Sequence, residues 1–267
     1  MIGVELRLLV RRPRTWASIL LLVLLPTVVA IFLKVSGVAP RPGTGPAFLA
    51  AVLSNGSLFP VAALAIVLPL FLPVAVAVAA GDAVAGEAQA GTLRYLLVRP
   101  VSRTRLLVAK LVSVLAFTML SVVAVAVTSF VVGTRLFGSH PLPSTSGTTF
   151  STADATWRIV VAVLYVGWSM LGVAAVALFL STLTDSPLGA ALGAIALLVT
   201  SGVLVGLDAS ASIQPYLPTR YWLAFVDLFR DPVHSRDVLR GTALQAAYIV
   251  VFLGAAWASF TTKDVTS

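Results

Sequence analysis

The sequence predicts an all-α integral membrane protein with six transmembrane helices, and two observations lead to that prediction. First, 59% of its 267 residues are hydrophobic and only 10% are charged, with a mean hydropathy of +1.02. Soluble domains carry about 25% charged residues, and a soluble fold of this size could not bury so much apolar surface. Second, six apolar runs each match the roughly 20 residues that a helix needs to cross the hydrocarbon. The runs cover residues 16–33, 58–80, 106–132, 159–180, 188–207 and 243–260.

Residues 1–15 precede the first run and predict an amphipathic helix that lies on the membrane surface. Arg7, Arg11 and Arg14 are spaced i, i+4, i+7, which places them on one helical stripe, with leucine and isoleucine side chains opposite. The remaining residues, 16–267, are predicted to form a single six-helix transmembrane domain.

Prolines and glycines mark two of the runs. Pro69 and Pro73 in the second run predict kinks rather than breaks, because neighbouring helices can satisfy the freed carbonyl groups. The fifth run contains two glycine pairs, which either permit close helix packing or reflect the general frequency of glycine in membrane helices. The pairs are Gly189 with Gly193 and Gly202 with Gly206.

Basic residues are distributed unevenly among the segments that connect the runs. Segments 1–15 and 81–105 carry four arginines each, whereas 34–57 and 133–158 hold only two basic residues each. The positive-inside rule therefore predicts that both termini and segment 81–105 are cytoplasmic. The net charge of +8 does not indicate a nucleic-acid partner, because the arginines cluster beside apolar runs, where they set orientation and contact membrane lipids.

The connection between the fifth and sixth runs is predicted to lie at the opposite membrane surface. Its stretch YLPTRYWLAFVDLF, residues 216–229, is rich in tyrosine, tryptophan and phenylalanine. Such side chains are enriched at the level of the lipid headgroups, so this stretch is expected there.

The sequence lacks the residue patterns of an enzyme or of an ion-coupled carrier. It contains no GxxxxGK[ST] nucleotide loop, no GxSxG motif and no cysteine. His140 and His234 have no second ligand nearby in the sequence, so neither a metal site nor a catalytic residue is expected. No Asp, Glu or His lies inside an apolar run, where proton- and sodium-coupled carriers place such groups. If the protein moves a substrate, the energy is expected to come from another chain.

A polar stretch, GEAQAGTLRYLLVRPVSRTRL at residues 86–106, separates the second and third runs. It predicts a short helix over 82–97 that is interrupted or bent near Gly86 and Gly91. This helix is expected to end before Pro100, because the residue that precedes a proline avoids the helical region.

The remainder of this stretch predicts a helix cap and a surface for a partner. Ser102 is expected to cap the third span. Arg103 and Arg105 in its first turn oppose the helix dipole, so either lipid phosphates or a protein contact must compensate them. Glu87 and Arg94 would surround an apolar patch that another protein can grip. The patch consists of Leu93, Tyr95, Leu96 and Leu97.

The segment DAVAGEAQAGTLRYLLVRPVSRTRLLVAK, residues 82–110, resembles the region between the second and third helices of ABC-2 type export permeases. In that family a glutamate, Gly-Thr-Leu, Leu-Leu, a proline, an arginine and a lysine recur with this spacing. The matching positions are Glu87, Gly91-Thr92-Leu93, Leu96-Leu97, Pro100, Arg103 or Arg105, and Lys110.

The resemblance implies the permease subunit of an exporter in the bacterial plasma membrane. Family members work as dimers, which implies a second permease copy or a sister permease. Two cytoplasmic ABC ATPase subunits bind the ATP and Mg, and no cofactor belongs to the permease itself. The amphipathic start corresponds to an elbow helix at the membrane surface, and the polar stretch to a coupling helix that the ATPase grips. The elbow and surface residues implied are Arg7, Arg11, Arg14, Arg103 and Arg105; the coupling residues are Glu87, Gly91, Thr92, Leu93, Arg94, Leu96, Leu97 and Pro100.

Two other functions stay open at the level of sequence. An importer permease carries a Glu-Ala-Ala then glycine pattern, which Glu87, Ala88 and Gly91 echo, although the glycine comes too early. A membrane protein that anchors or assembles a partner without transport is the second alternative. Aromatic side chains in the spans indicate either an amphiphilic, drug-like or lipid-like cargo or ordinary packing. They are Phe59, Phe71, Phe117, Trp168 and Phe179.

Overall fold

The computed structural model describes residues 2–37, 49–53, 55–91, 102–139, 142–143, 149–230 and 232–262. Within these ranges the chain is helical, apart from short turns and one antiparallel pair of two-residue strands, β1 (Leu142–Pro143) and β2 (Thr149–Phe150). The described helices are α1 (Ile2–Arg11), α2 (Pro13–Ser36), α3 (Leu49–Val52), α4 (Phe59–Val67), α5 (Phe71–Gln89), α6 (Arg103–Phe137), α7 (Thr152–Leu183), α8 (Pro187–Val205) and α9 (Arg236–Thr262).

Six of these helices, α2 and α5 to α9, are long and apolar enough to cross a membrane. The predicted all-helical architecture with six apolar helices is therefore confirmed. Four of the helices, α2, α6, α7 and α9, extend beyond their apolar runs at both ends. α6, for example, has 35 residues and is about 52 Å long, against a hydrocarbon thickness of about 30 Å. An apolar run marks only the part of a helix that lies in hydrocarbon, whereas the backbone hydrogen bonds continue into the polar region.

The amphipathic start forms a separate helix. α1 ends at Arg11, no residue in it is buried, and it packs against α6. Arg12 has an extended backbone (φ −75°, ψ 121°) because Pro13 follows it and disfavours the helical conformation. The surface helix is thus shorter than the predicted segment 1–15, and α2 begins at Pro13.

The second predicted span is broken rather than kinked. α4 ends at Val67 and α5 begins at Phe71, with a turn at residues 68–70 in which Leu70 has φ −141° and ψ −57°. Pro69 has no amide hydrogen to continue the α4 hydrogen-bond ladder, whereas Pro73 lies in the first turn of α5, where its missing donor costs nothing. The predicted span 58–80 therefore consists of two helices.

The helix predicted over 82–97 is the continuation of α5. α5 runs through Gly86 without interruption and ends at Gln89, two residues before Gly91, whose φ is +68°. A left-handed glycine is a common helix terminator because it has no Cβ to clash in that conformation. The helix is not interrupted at Gly86, and residues 92–101 lie outside the described ranges. Ser102 caps α6 by accepting a hydrogen bond from the Arg105 amide (3.4 Å), as predicted.

α7 is the central helix of the bundle and packs against α5, α6, α8 and α9. Three of the other long helices, α2, α8 and α9, present many large apolar side chains outward, as expected of surfaces that face lipid. α5 approaches α8 closely at Gly81, where a Cβ would lie 3.0 Å from the Ala191 nitrogen.

The connection between α8 and α9 folds back onto the bundle through short 3-10 turns. Trp222 and Phe225 are buried and Tyr216 is 71% exposed. Trp222 and Phe225 therefore pack inside the bundle, because the turn directs them there, and the predicted headgroup level of the stretch stays a prediction.

Candidate functional site

Three charged side chains from three helices meet near the end of α5, and we call them the Lys110 triad. Lys110 of α6 is only 5% exposed. Its Nζ lies 2.9 Å from an oxygen of Glu5 in α1 and 2.6 Å from an oxygen of Glu87 in α5. The triad joins α1 to two long helices at the start of the polar stretch that the sequence singles out.

The arrangement explains how a lysine is tolerated in an apolar helix. A buried ammonium group without a partner costs several kcal/mol, and buried charges are consequently paired or hydrogen-bonded. The Glu5 and Glu87 side chains are 14% and 19% exposed. Each carboxylate is therefore partly accessible at the protein surface while it compensates the charge of Lys110. The triad carries a formal charge of −1 with both carboxylates ionised.

A second, weaker ion pair lies on the same face. Arg12 and Asp82 are 3.6 Å apart, and their side chains are 49% and 32% exposed. Gly86 leaves room for the Asp82 carboxylate, because a Cβ at Gly86 would lie 2.5 Å from one of its oxygens. Exposed pairs of this kind contribute about 0.2–1 kcal/mol.

Ser181 at the end of α7 attaches to the backbone of α5 one turn before the triad. Its hydroxyl accepts hydrogen bonds from the amides of Val84 (3.1 Å) and Ala85 (2.9 Å) and donates one to the carbonyl of Gly81 (2.6 Å). All of these atoms are buried, so α5 is held by α7 on one side and by Lys110 on another.

Hydrogen bonds join the start of α6 to the end of α9. Arg103 donates hydrogen bonds to the carbonyls of Phe260 (3.3 Å) and Thr261 (3.0 Å), and Trp257 donates one to Thr104 (3.0 Å). The unfavourable position of Arg103 in the first turn of α6 is thus compensated in part by a contact within the protein. The other predicted surface residues, Arg7, Arg11, Arg14 and Arg105, are exposed.

The structure brings some predicted site residues together and leaves others apart. Glu87 belongs to the Lys110 triad and Gly91 terminates α5. The fifth-span glycines differ: a Cβ at Gly193 would lie 3.1 Å from Leu180, and one at Gly202 would meet nothing within 4 Å. Gly189 lies next to Ser186, the residue that caps the start of α8, and Gly206 follows the end of α8. The remaining coupling residues, Thr92, Leu93, Arg94, Leu96, Leu97 and Pro100, lie outside the described ranges.

Sequence reasoning missed the roles of Glu5, Asp82 and Ser181, and it gave Lys110 no structural role. A signal for Lys110 was present, since it is the single charged residue within the six apolar runs. A charge inside a membrane helix requires a partner. The sequence does not reveal that Glu5 is one of the two.

The opposite end of the bundle is held by hydrogen bonds to main-chain carbonyls. From α7, Tyr165 donates to Tyr221 (2.7 Å) and Trp168 to Thr242 (3.1 Å). From α9, Gln245 donates to Pro218 (2.8 Å), and Tyr248 donates to Tyr216 (3.0 Å). Among the described residues at this end, the ion pair is that of Arg230 with Asp227, and both residues belong to the connection between α8 and α9.

A bundle of six long apolar helices with its inter-helix ion pairs at one end fits a multi-pass membrane protein. Among the described residues no three His, Asp or Glu side chains come together as metal ligands. Over residues 23–266 the sequence matches the family described as "Protein of unknown function (DUF2705)", and the chain belongs to that family. No curated protein matches the chain.

Proposed function

We propose that this chain is the membrane permease of an ATP-driven exporter of the ABC-2 type, in a bacterial plasma membrane with both termini cytoplasmic. A separate cytoplasmic ATPase binds ATP and Mg, and it also binds the polar stretch between α5 and α6. Two permease subunits and two ATPase subunits form the complex. An amphiphilic cargo remains the sequence-based expectation, although Phe59 and Phe117 are packing residues of the bundle.

The observation that carries this proposal is the position of the Lys110 triad. It links α1, α5 and α6 at the point where the polar stretch begins. A force applied to residues 92–101 would act on the ends of α5 and α6, and the triad would pass it to α1. Ser181 would pass it from α5 to α7. Contiguous contacts of this kind are a physical route for coupling between sites.

The broken second span supports the same mechanism. The turn at residues 68–70 separates α5 from α4, and α4 packs against α6 near the opposite membrane surface. A tilt of α5 can therefore be absorbed at this turn while α4 stays in place. Hinges of this kind are typically a few residues at the ends of elements.

The lack of nucleotide-binding and ion-coupling residues in the sequence supports an energy source on another chain. It contains no nucleotide-binding loop and no carboxylate inside an apolar run. A carrier driven by protons or sodium would need such groups near the middle of the membrane.

The test is a mild-detergent affinity purification of the full-length chain from its native host, followed by mass spectrometry and an ATPase assay. An equimolar protein with a P-loop motif and ATP hydrolysis in the purified complex are expected. Arg94→Glu should lower the amount of that protein at least fivefold, because a coupling helix depends on its charged rim. The matched control is Arg240→Glu, an exposed arginine at the opposite end of the bundle.

Either of two results would overturn the proposal. One is a well-behaved preparation without any P-loop ATPase, which would favour the anchoring or assembly function. The other is an ATPase that Arg94→Glu and Arg240→Glu release equally.

A further inference from the structure

Two adjoining cavities lie beside the Lys110 triad, where α2 begins. The polar cavity, of about 570 Å³, is bordered by Arg12, Arg14, Asp82 and Glu87, among others. The amphiphilic cavity, of about 270 Å³, shares the first three of these residues and extends along α5 and α8. A charged compartment that opens into a mainly apolar one has the form of a site for an amphiphile.

The basic side of the polar cavity fits a phosphate group. Arg14 is exposed and makes no ion pair or side-chain hydrogen bond with any residue that the structure describes, and Arg12 makes only its long contact with Asp82. α2 also begins here without a side-chain cap. Arginines and the positive end of a helix dipole both favour an anionic group at this position.

A largely buried threonine is an independent sign of a ligand at the same place. Thr15 in the first turn of α2 borders the amphiphilic cavity and is only 6% exposed. No side-chain hydrogen bond joins its hydroxyl to the described residues, and the hydroxyl is not one of their fully enclosed unpaired polar atoms, so it stays accessible from this cavity. A buried polar group is normally satisfied, so a group with an acceptor oxygen in this cavity would complete it.

The acidic side of the polar cavity fits an ammonium group. Asp82 faces the cavity with its side chain 32% exposed, next to Glu87. The charged residues that border this cavity are Arg12, Arg14 and Lys110 against Asp82 and Glu87. Positive and negative groups therefore border one space, which complements a zwitterion better than a simple anion.

The amphiphilic cavity is also bordered by apolar side chains of α1, α5, α6 and α8, namely Leu8, Val78, Phe117 and Leu188. Val78 is 50% exposed and Leu188 is 67% exposed, so the protein leaves this side uncovered toward the membrane. An acyl chain would cover these side chains, since burial of apolar surface is favourable.

We propose that this site binds one phospholipid with an amine-bearing headgroup, of the phosphatidylethanolamine type, from the leaflet on the amino-terminal side. Its phosphate contacts Arg12 and Arg14, its ammonium group contacts Asp82, and one acyl chain lies along α5 and α8. The proposal requires only that the helices lie in a membrane, so it stands or falls independently of the exporter function.

The experiment is native mass spectrometry of the purified full-length chain in mild detergent, with added lipids in competition. Phosphatidylethanolamine should be retained at one molecule per chain and at least fivefold better than phosphatidylglycerol or phosphatidylcholine. Phosphatidylglycerol has no ammonium group for Asp82, and the trimethylammonium group of phosphatidylcholine cannot donate a hydrogen bond. Soluble phosphoethanolamine at the same concentration should not be retained, because it has no acyl chain.

Variants test the two halves of the headgroup site separately. Arg14→Gln should lower retention of phosphatidylethanolamine about fivefold, the effect of one basic residue at a membrane surface. Asp82→Asn should instead abolish the preference over phosphatidylglycerol while lipid is still retained, a result that misfolding would not produce. The control is Arg135→Gln, which removes an exposed arginine at the other end of α6 that borders neither cavity.

Three results would overturn the proposal: phosphatidylglycerol bound as well as phosphatidylethanolamine by the unaltered chain, soluble phosphoethanolamine retained as strongly as the lipid, or an unchanged lipid preference in Asp82→Asn. An equal loss of phosphatidylethanolamine in Arg14→Gln and Arg135→Gln would also contradict it.

Discussion

The two ends of the helix bundle are held together by different kinds of interaction. At the amino-terminal end, charged side chains of α1, α5 and α6 pair with one another around Lys110. At the opposite end, side chains of α7 and α9 donate hydrogen bonds mainly to carbonyls of the connection that precedes α9. A carbonyl acceptor is present whatever the residue, whereas an ion pair requires both side chains.

This difference indicates which end can respond to a partner. A charge cluster changes when a ligand, a lipid or another protein brings charge near it, because electrostatic interactions act over several ångströms. Hydrogen bonds to the backbone depend on short distances and on alignment. We therefore expect the opposite end to stay fixed while the amino-terminal end adjusts.

Lys110→Met is expected to have the largest effect, because it leaves Glu5 and Glu87 facing each other without a cation. Breaking a buried ion pair costs about 3–5 kcal/mol. This loss of stability is measured by thermal unfolding of the detergent-solubilised protein, with size-exclusion chromatography as the readout. The control is Lys34→Met, which removes an exposed lysine 5.8 Å from the centre of the Phe137 ring, a contact worth about 0.5–1 kcal/mol. Equal shifts in the two variants would contradict the structural role of the triad.

Tyr165→Phe tests the opposite end and should rank second. It removes the 2.7 Å hydrogen bond to the Tyr221 carbonyl, and an unsatisfied buried acceptor costs about 1–3 kcal/mol. The matched change Tyr216→Phe removes a hydroxyl from a side chain that is 71% exposed and should leave the melting temperature nearly unchanged. If the Tyr165 variant is as stable as the Tyr216 variant, the carbonyl contacts do not hold this end.

Gly91→Ala should destabilise the end of α5 by about 1–2 kcal/mol, because its φ of +68° places a Cβ against the following carbonyl. A Cβ there would meet no other atom within 4 Å, so the expected cost is conformational. Gly91→Asn should cost less, since asparagine tolerates the left-handed region. Hydrogen–deuterium exchange at the end of α5 distinguishes the two variants, and similar exchange rates would argue against a required left-handed residue.

Arg12→Gln should have the smallest effect on stability, about 0.2–1 kcal/mol, because its pair with Asp82 is long and exposed. Salt screens such a pair, so the difference from the unaltered protein should shrink as the salt concentration rises. Lys110→Met should show far less dependence on salt. A salt response of equal size in both variants would mean that the triad is as exposed as the Arg12 pair.

Local features of the molecule could be predicted from the sequence. The six apolar helices, the separate helix at the start and the Ser102 cap depend on composition and on neighbouring residues. The break at residues 68–70 could not be predicted, because a proline kinks or breaks a helix according to what its neighbours supply. Gly81 lets α5 and α8 approach closely, whereas Gly202 of the predicted pairs meets nothing within 4 Å, since the spacing of glycines does not specify which face meets a partner.

The amino-acid sequence by itself determined that this chain is a bundle of apolar helices whose basic residues are unevenly distributed among the segments that connect the apolar runs. Hydrophobicity and helical periodicity act over one or two turns, so they can be read along the chain. Only the tertiary structure decided that Lys110 pairs with Glu5 and Glu87, that Ser181 bonds to the backbone of α5, and that Arg12, Arg14 and Asp82 surround one cavity. These contacts join residues that are far apart in sequence, and their geometry depends on how the helices pack.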